Sequence, residues 1–197
     1  MRLLAALAIA AAAWTQDVAR FGTTVAIPDG FRGQIYFLKD GANQLPNFSK
    51  LKPKGTIYTT SINVPAQQFD QGFPGVSKRF EWFAIDYTAR FWVRTPGIHR
   101  FILTSDDGSR LWIDGRLVVD NDGVHPPQDR YGDIELAGGL HRIEVGYFQG
   151  PRFGVALVLK VMPPGERWRI FNVDEFKPPA DTEIPPDAPA QVEKKRK

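Results

Sequence analysis

The chain has 197 residues, enough for one domain with a substantial core and too few for two once its ends are discounted. It has no cysteine, which excludes a disulfide framework, thiolate metal sites and a cysteine nucleophile. Its net charge of +3 is outweighed by the four cations of Lys194-Lys195-Arg196-Lys197, so the rest of the chain is slightly acidic and offers no basic groove for nucleic acid.

Residues 1–13 read as a secretory signal peptide: Met1-Arg2 precedes an apolar run of alanine and leucine ending in Ala11-Ala12-Ala13. The run is shorter than the ~20 apolar residues a membrane span needs, so no transmembrane helix is expected after cleavage, and the chain is expected to be secreted, periplasmic or at the cell surface. Residues 14–29 form a mixed N-terminal segment, and the domain is expected over 30–176. Within it, short strands are predicted at Gly33–Leu38 and Thr56–Thr60, then a Gly/Pro-rich loop over Gln67–Val76. Tyr87–Arg94 alternates, with Tyr87, Ala89, Phe91 and Val93 on one face. His99–Ser105 returns with His99, Phe101 and Leu103 together. Asp114-Gly115, flanked by apolar runs, is the strongest two-residue hairpin signal in the chain. A polar loop is expected over Asp120–Tyr131, followed by strands at Asp133–Leu136, Leu140–Phe148, Val155–Val161 and Trp168–Val173. Many short strands with turns between them and no sustained helical period predict an all-β fold, an antiparallel β-sandwich or jelly roll, as a single domain with disordered tails. Residues 177–197, rich in proline and charge, are the C-terminal tail, expected to be disordered and to contact anionic surfaces.

The chemistry concentrates in Thr104–Gly115, reading Thr-Ser-Asp-Asp-Gly-Ser-Arg-Leu-Trp-Ile-Asp-Gly. Neighbouring side chains on a strand point to opposite faces, so Asp106 and Asp107 can act together only if the backbone between them leaves strand geometry, for which a cis peptide is one solution. Paired carboxylates with open positions beside them begin a calcium shell, which takes roughly 6–8 oxygens. The bland alternative is that both acids only form a turn.

Three blocks carry a resemblance: Gly33-Gln-Ile-Tyr-Phe, Gly97 through Asp120 with its Ser-Asp-Asp-Gly core, and Gly139-Leu-His-Arg-Ile-Glu-Val-Gly-Tyr-Phe-Gln-Gly. Over roughly Gly30 to Phe171 the chain resembles the PA-fourteen domain, the lectin-like β-sandwich named after the anthrax toxin protective antigen. The resemblance implies a calcium ion held by Asp106 and Asp107 across a cis peptide, gripping vicinal sugar hydroxyls. It also implies an amide ligand after the strand ending near Phe148, where Gln149 stands and fungal adhesins use asparagine.

Beside this, Trp112, Tyr131 and Phe148 could form a sugar-stacking platform or belong to the core. The Asp120-Asn-Asp-Gly123 loop, with Asp122 and His125, is a second possible ligand contact, although its twelfth position is Tyr131 where an EF-hand needs glutamate. No hydrolase or phosphate-loop motif is present, and sequence neighbours do not provide the ~5–9.5 Å carboxylate separation of glycoside hydrolysis. The expectation is a non-catalytic carbohydrate-binding module that uses calcium to hold glycans or cell-surface polysaccharide. The alternative is a structural or protein-interaction domain of the cell envelope without a metal.

Overall fold

The computed structural model describes residues 21–151 and 154–182. The expected signal peptide and most of the basic tail lie outside them. Eleven strands form: β1 (Phe31–Phe37), β2 (Gly55–Thr59), β3 (Asn63–Gln68), β4 (Phe83–Val93), β5 (Gly97–Asp106), β6 (Ser109–Ile113), β7 (Arg116–Asn121), β8 (Gln128–Leu136), β9 (Gly139–Gln149), β10 (Gly154–Met162) and β11 (Arg169–Ile170). They make two antiparallel sheets, one ordered β2-β1-β4-β9-β6-β7 and the other β11-β10-β5-β8, with β3 also paired to β10. The only helical pieces among the described residues are 3-10 turns at Phe48–Lys50 and Val173–Phe176, and none of these residues form a helix long and apolar enough to cross a membrane.

The inner faces follow the period-two alternation of the sequence. Tyr87, Phe91 and Val93 of β4 and Ile143, Val145 and Tyr147 of β9 meet Phe101 and Leu103 of β5 and Leu157, Leu159 and Val161 of β10, all essentially inaccessible. One end is closed by Phe171 and Phe176, stacked at 4.9 Å and 12°, with Phe91 set edge-on to Phe171 at 5.4 Å. The β6–β7 hairpin turns at Asp114 (φ 50°) and Gly115 (φ 75°), both left-handed, as a two-residue turn matched to strand twist requires.

Four features depart from the local sequence signals. Phe21 is part of the core, its carbonyl accepts the Tyr87 hydroxyl at 2.5 Å, and Thr23 pairs with Tyr58, so the folded unit begins before Gly30. β3 contains Pro65, which lacks an N–H to give a ladder; it sits where the β3–β10 register shifts between Val155 and Leu157. β8 begins at Gln128, inside the segment expected as loop, and its outer half is polar because that half faces solvent. Gly132 is required there, since a Cβ would stand 2.0 Å from the Val118 carbonyl oxygen of β7. Finally, residues after β1 fold over the outer face of the six-stranded sheet, where Leu45, Phe48 and Leu51 cover Tyr36, Ala84 and Phe148.

Phe21→Ala tests the extended boundary. Emptying this core position is expected to cost about 3–5 kcal/mol, read from urea unfolding, whereas a residue outside the domain would cost nothing measurable.

Candidate functional site at the Asp106–Asp107 corner

β5 belongs to one sheet and β6 to the other, so the chain changes sheet at Asp106-Asp107-Gly108. The Asp106–Asp107 peptide is cis. Gly108 is fixed by space: a Cβ would meet Phe148 at 2.4 Å and the Asp122 carboxylate at 2.7 Å. Phe148 N in turn donates to Gly108 O at 2.9 Å.

The two acids have different surroundings. Asp107 is only 4% exposed, and both its oxygens are engaged: Gly150 N donates to Oδ2 at 2.8 Å and His125 N to Oδ1 at 3.1 Å. Burial raises its carboxyl, and the two N–H donors and the nearby His125 oppose that rise. Asp106 is half-buried, and its carboxylate makes no hydrogen bond or ion pair among the described residues. Burial first, then the adjacent Asp107 charge, push its pKa up from 3.8 to about 6, with His125 pulling the other way. The His125 ring nitrogens lie 3.0 Å from Asn121 O and 3.0 Å from Pro126 O.

Behind the corner, Tyr147 OH lies 2.5 Å from Asp106 O and 2.6 Å from Gln149 Oε1, while Gln149 Nε2 donates to Gly154 O at 2.8 Å. Burial and the two acids push the Tyr147 phenol well up, keeping it a proton donor. A second buried group links the sheets. Ser109 Oγ donates to Ser105 Oγ at 2.6 Å, and Asn121 Nδ2 reaches Ser105 Oγ at 2.9 Å and Gln128 O at 3.2 Å.

The expected site residues divide accordingly. Asp106, Asp107, Gln149 and His125 converge on the corner. Gln149 is 1% exposed, and its amide is engaged at both ends. Asp122 stands close by but holds the fold: Oδ1 accepts from Leu45 N at 2.8 Å, and Oδ2 is 3.3 Å from Arg110 Nη2. The three rings do not form one platform. Phe148 is fully buried beneath the segment that follows β1, Trp112 lies half-buried on the outer face of the six-stranded sheet beside Gly146, and Tyr131 is 66% exposed on β8 opposite Ile102. A further ring close to the acids is that of Trp82, just before β4. It comes within 3.6 Å of the point where a Gly150 Cβ would stand, and Asp107 Oδ2 is 3.0 Å from that same point. Nothing in the local sequence marks it, because it is brought to the corner by the pairing of β4 with β9, in which Phe83 lies opposite Gln149.

For a divalent cation, the described residues offer two carboxylates and no group of three or more His, Cys, Asp or Glu side chains. Each Asp107 oxygen keeps a lone pair beyond its N–H bond, and the Asp106 carboxylate is uncommitted. The set fits an open site, in which backbone carbonyls, water or a ligand's own oxygens would complete a shell of roughly 6–8.

The asymmetry predicts that Asp107→Ala destabilises by about 1–3 kcal/mol for each N–H it orphans, while Asp106→Ala, which orphans no donor, does not destabilise, as chemical denaturation will show. The pH dependence has a definite sign. Because the Asp106 pKa is raised on folding, its contribution is fully present below the unfolded value and lost as pH rises through about 6. Asp106→Asn is therefore expected to gain stability relative to the parent between pH 4 and pH 7, compared by urea midpoints.

Comparison with known proteins is consistent with this architecture. A PA14 domain model matches residues 38–170. The fold is similar to the PA14 sugar-binding domain from an RTX adhesin, at 20% identity and a TM-score of 0.62 over 74% of this chain and 96% of that one. It is similar to an anti-sigma factor domain-containing protein from Clostridium clariflavum, at 20% identity and a TM-score of 0.60 over 83% of this chain and 50% of that one. It is also similar to the Epithelial Adhesin 9 A domain from Candida glabrata, solved in complex with Galb1-3GlcNAc, at 12% identity and a TM-score of 0.54 over 80% and 94% of the two chains. The chain spans half the length of the two anti-sigma factor domain-containing proteins it matches. No curated protein matches it. With the family model covering most of the sandwich and the Asp-Asp corner at its centre, the chain belongs to the PA14 domain family.

Proposed function

We propose that this chain is a non-catalytic carbohydrate-recognition module, exported from the cell, in which the Asp106–Asp107 corner contacts the sugar and a calcium ion bridges the two acids to vicinal hydroxyls. The observation that carries this reading is the Asp106 carboxylate, held beside a second acid with no basic side chain of the described residues paired to it. Neighbouring like charges at a half-buried corner favour a cation. Trp82 brings an aromatic ring close to Gly150 beside Asp107, and Gln149 Oε1 lies in reach of the same corner. Family membership supports the reading, as do the sugar-binding RTX adhesin domain and the fungal adhesin bound to a disaccharide. A single site of this kind gives modest affinity, because few contacts form and sugar hydroxyls must be desolvated.

A second reading is a structural or protein-interaction domain of the cell envelope without a metal. It is favoured by the lack, among the described residues, of a third acidic or histidine side chain at the pair, and by the engagement of both ends of the Gln149 amide.

Isothermal titration with calcium, followed by glycan-array retention with and without chelator, separates the two. The first reading expects a calcium heat that disappears in Asp106→Ala and glycan retention abolished by chelation. Retention that survives chelation points to a metal-free sugar site, and no retention on a broad array favours the interaction domain.

A further inference from the structure

The Asp106 side chain lies on the outer side of the five-stranded sheet. Its Oδ2 is 3.4 Å from the point where a Gly154 Cβ would stand, and Ala156 of β10 faces it in register. Side chains two apart on a strand share a face, so Thr104 and then Ile102 of β5 follow Asp106 along that side. β8 sets Asp129 opposite Thr104 and Tyr131 opposite Ile102. Successive rows are about 7 Å apart, which puts the row of Ile102 and Tyr131 about 13 Å along β5 from Asp106.

The side chains of this strip have the chemistry of a sugar platform. Tyr131 is largely exposed, and it makes no hydrogen bond or ring contact with any described residue. Ile102 opposite it is buried although it points outward, and an aromatic side chain paired with a β-branched one across two strands is held in place. Such a ring offers an apolar face with little conformational freedom left to lose. In the row between Tyr131 and the corner, Thr104 Oγ1 donates to Asp129 Oδ1 at 2.6 Å, which leaves Asp129 Oδ2 and the Thr104 lone pairs to accept from hydroxyls. On the far side, Arg100 Nε pairs with Asp133 Oδ2 at 3.4 Å. A protein partner is a poorer occupant, because Asp129, Asp133 and Arg100 surround the ring, all exposed, and the centres of protein interfaces are depleted of charge. With carboxylates on both sides of Tyr131, the chain that suits it is neutral rather than acidic.

We propose that the ligand of the Asp106–Asp107 corner is an extended neutral saccharide chain, which leaves the corner over Thr104 and Asp129 and rests a later ring on Tyr131. The inference rests on the sugar-binding reading of the corner and adds to it a requirement for length. One sugar held at the corner does not span ~13 Å, whereas a linear oligosaccharide crosses both rows. The second contact forms within a ligand already held, so it raises affinity at little further cost in freedom and offsets the modest strength of the corner alone. Chain length, and not the terminal sugar by itself, then sets the affinity.

Titration of the full chain on an array of linear gluco-, manno-, galacto- and xylo-oligosaccharides, each from disaccharide to hexasaccharide and in calcium-containing buffer, tests the proposal. The expected result is that in at least one series the hexasaccharide binds about tenfold or more tightly than the disaccharide. Tyr131→Ala is expected to lose that gain while keeping disaccharide binding, which also reports an intact fold. Tyr131→Phe is expected to retain the gain, and Asp106→Ala to lose binding at every length. An affinity that does not rise with length, or a gain that survives in Tyr131→Ala, overturns the proposal and leaves the corner reading standing. Hexasaccharide binding that survives in Asp106→Ala also overturns it, because the strip then acts apart from the corner. No retention at any length removes the corner reading and this inference with it.

Discussion

The arrangement of the corner depends on one buried carboxylate accepting two backbone N–H groups from distant parts of the chain. Asp107 ends the β5 side of the sheet change, Gly150 follows β9, and His125 lies in the β7–β8 loop; the two bonds to Asp107 tie these three segments together. A carboxylate this deeply buried is costly unless charge-assisted hydrogen bonds offset its lost hydration, and here both oxygens receive one. The neighbouring acid is thereby released from any part in the fold. Asp107 organises the corner, and Asp106 is the group the corner displays.

How much of this was legible in the sequence depended on the range of the interaction. The alternation of Tyr87 through Val93 and of His99 through Leu103 was visible because side-chain direction in a strand is set locally, and the observed burial follows it. Asp114-Gly115 was visible because only a few residues tolerate two consecutive left-handed positions. The Asp-Asp pair stood out as a motif, but its division into a structural and a displayed acid did not, since the donors come from positions 18 and 43 residues away. Phe148 shows the limit most plainly. Its outward position in β9 suggested a surface ring, and only the fold of a segment nearly a hundred residues earlier puts it under cover. Ser105, Ser109 and Asn121, each an unremarkable polar residue in isolation, become one network only when two sheets bring them together.

The outer face of the six-stranded sheet is covered in one half and open in the other. Near the corner its outer face is insulated by Leu45, Phe48 and Leu51, which shield Phe148 and so hold up Gly108. Farther along the same strands the face is open and carries guanidiniums, an indole and a carboxyl of raised pKa. Covered and open halves are continuous through β4 and β9, so the covered half serves as a rigid base for the open one.

The pairing of β3 and β11 along one side of β10 has a consequence for solubility. Val155-Ala-Leu-Val-Leu-Lys-Val161 is the most apolar strand in the sandwich, and its far side would be a template for joining other copies if left bare. Two short pieces lie end to end along that side, one meeting Gly154 to Val158 and the other Lys160 to Val161, and the longer of them is interrupted by a proline-bearing bulge. The seam therefore ends in strands too short and too irregular to recruit another chain, which guards a β-rich protein against fibrillar self-association.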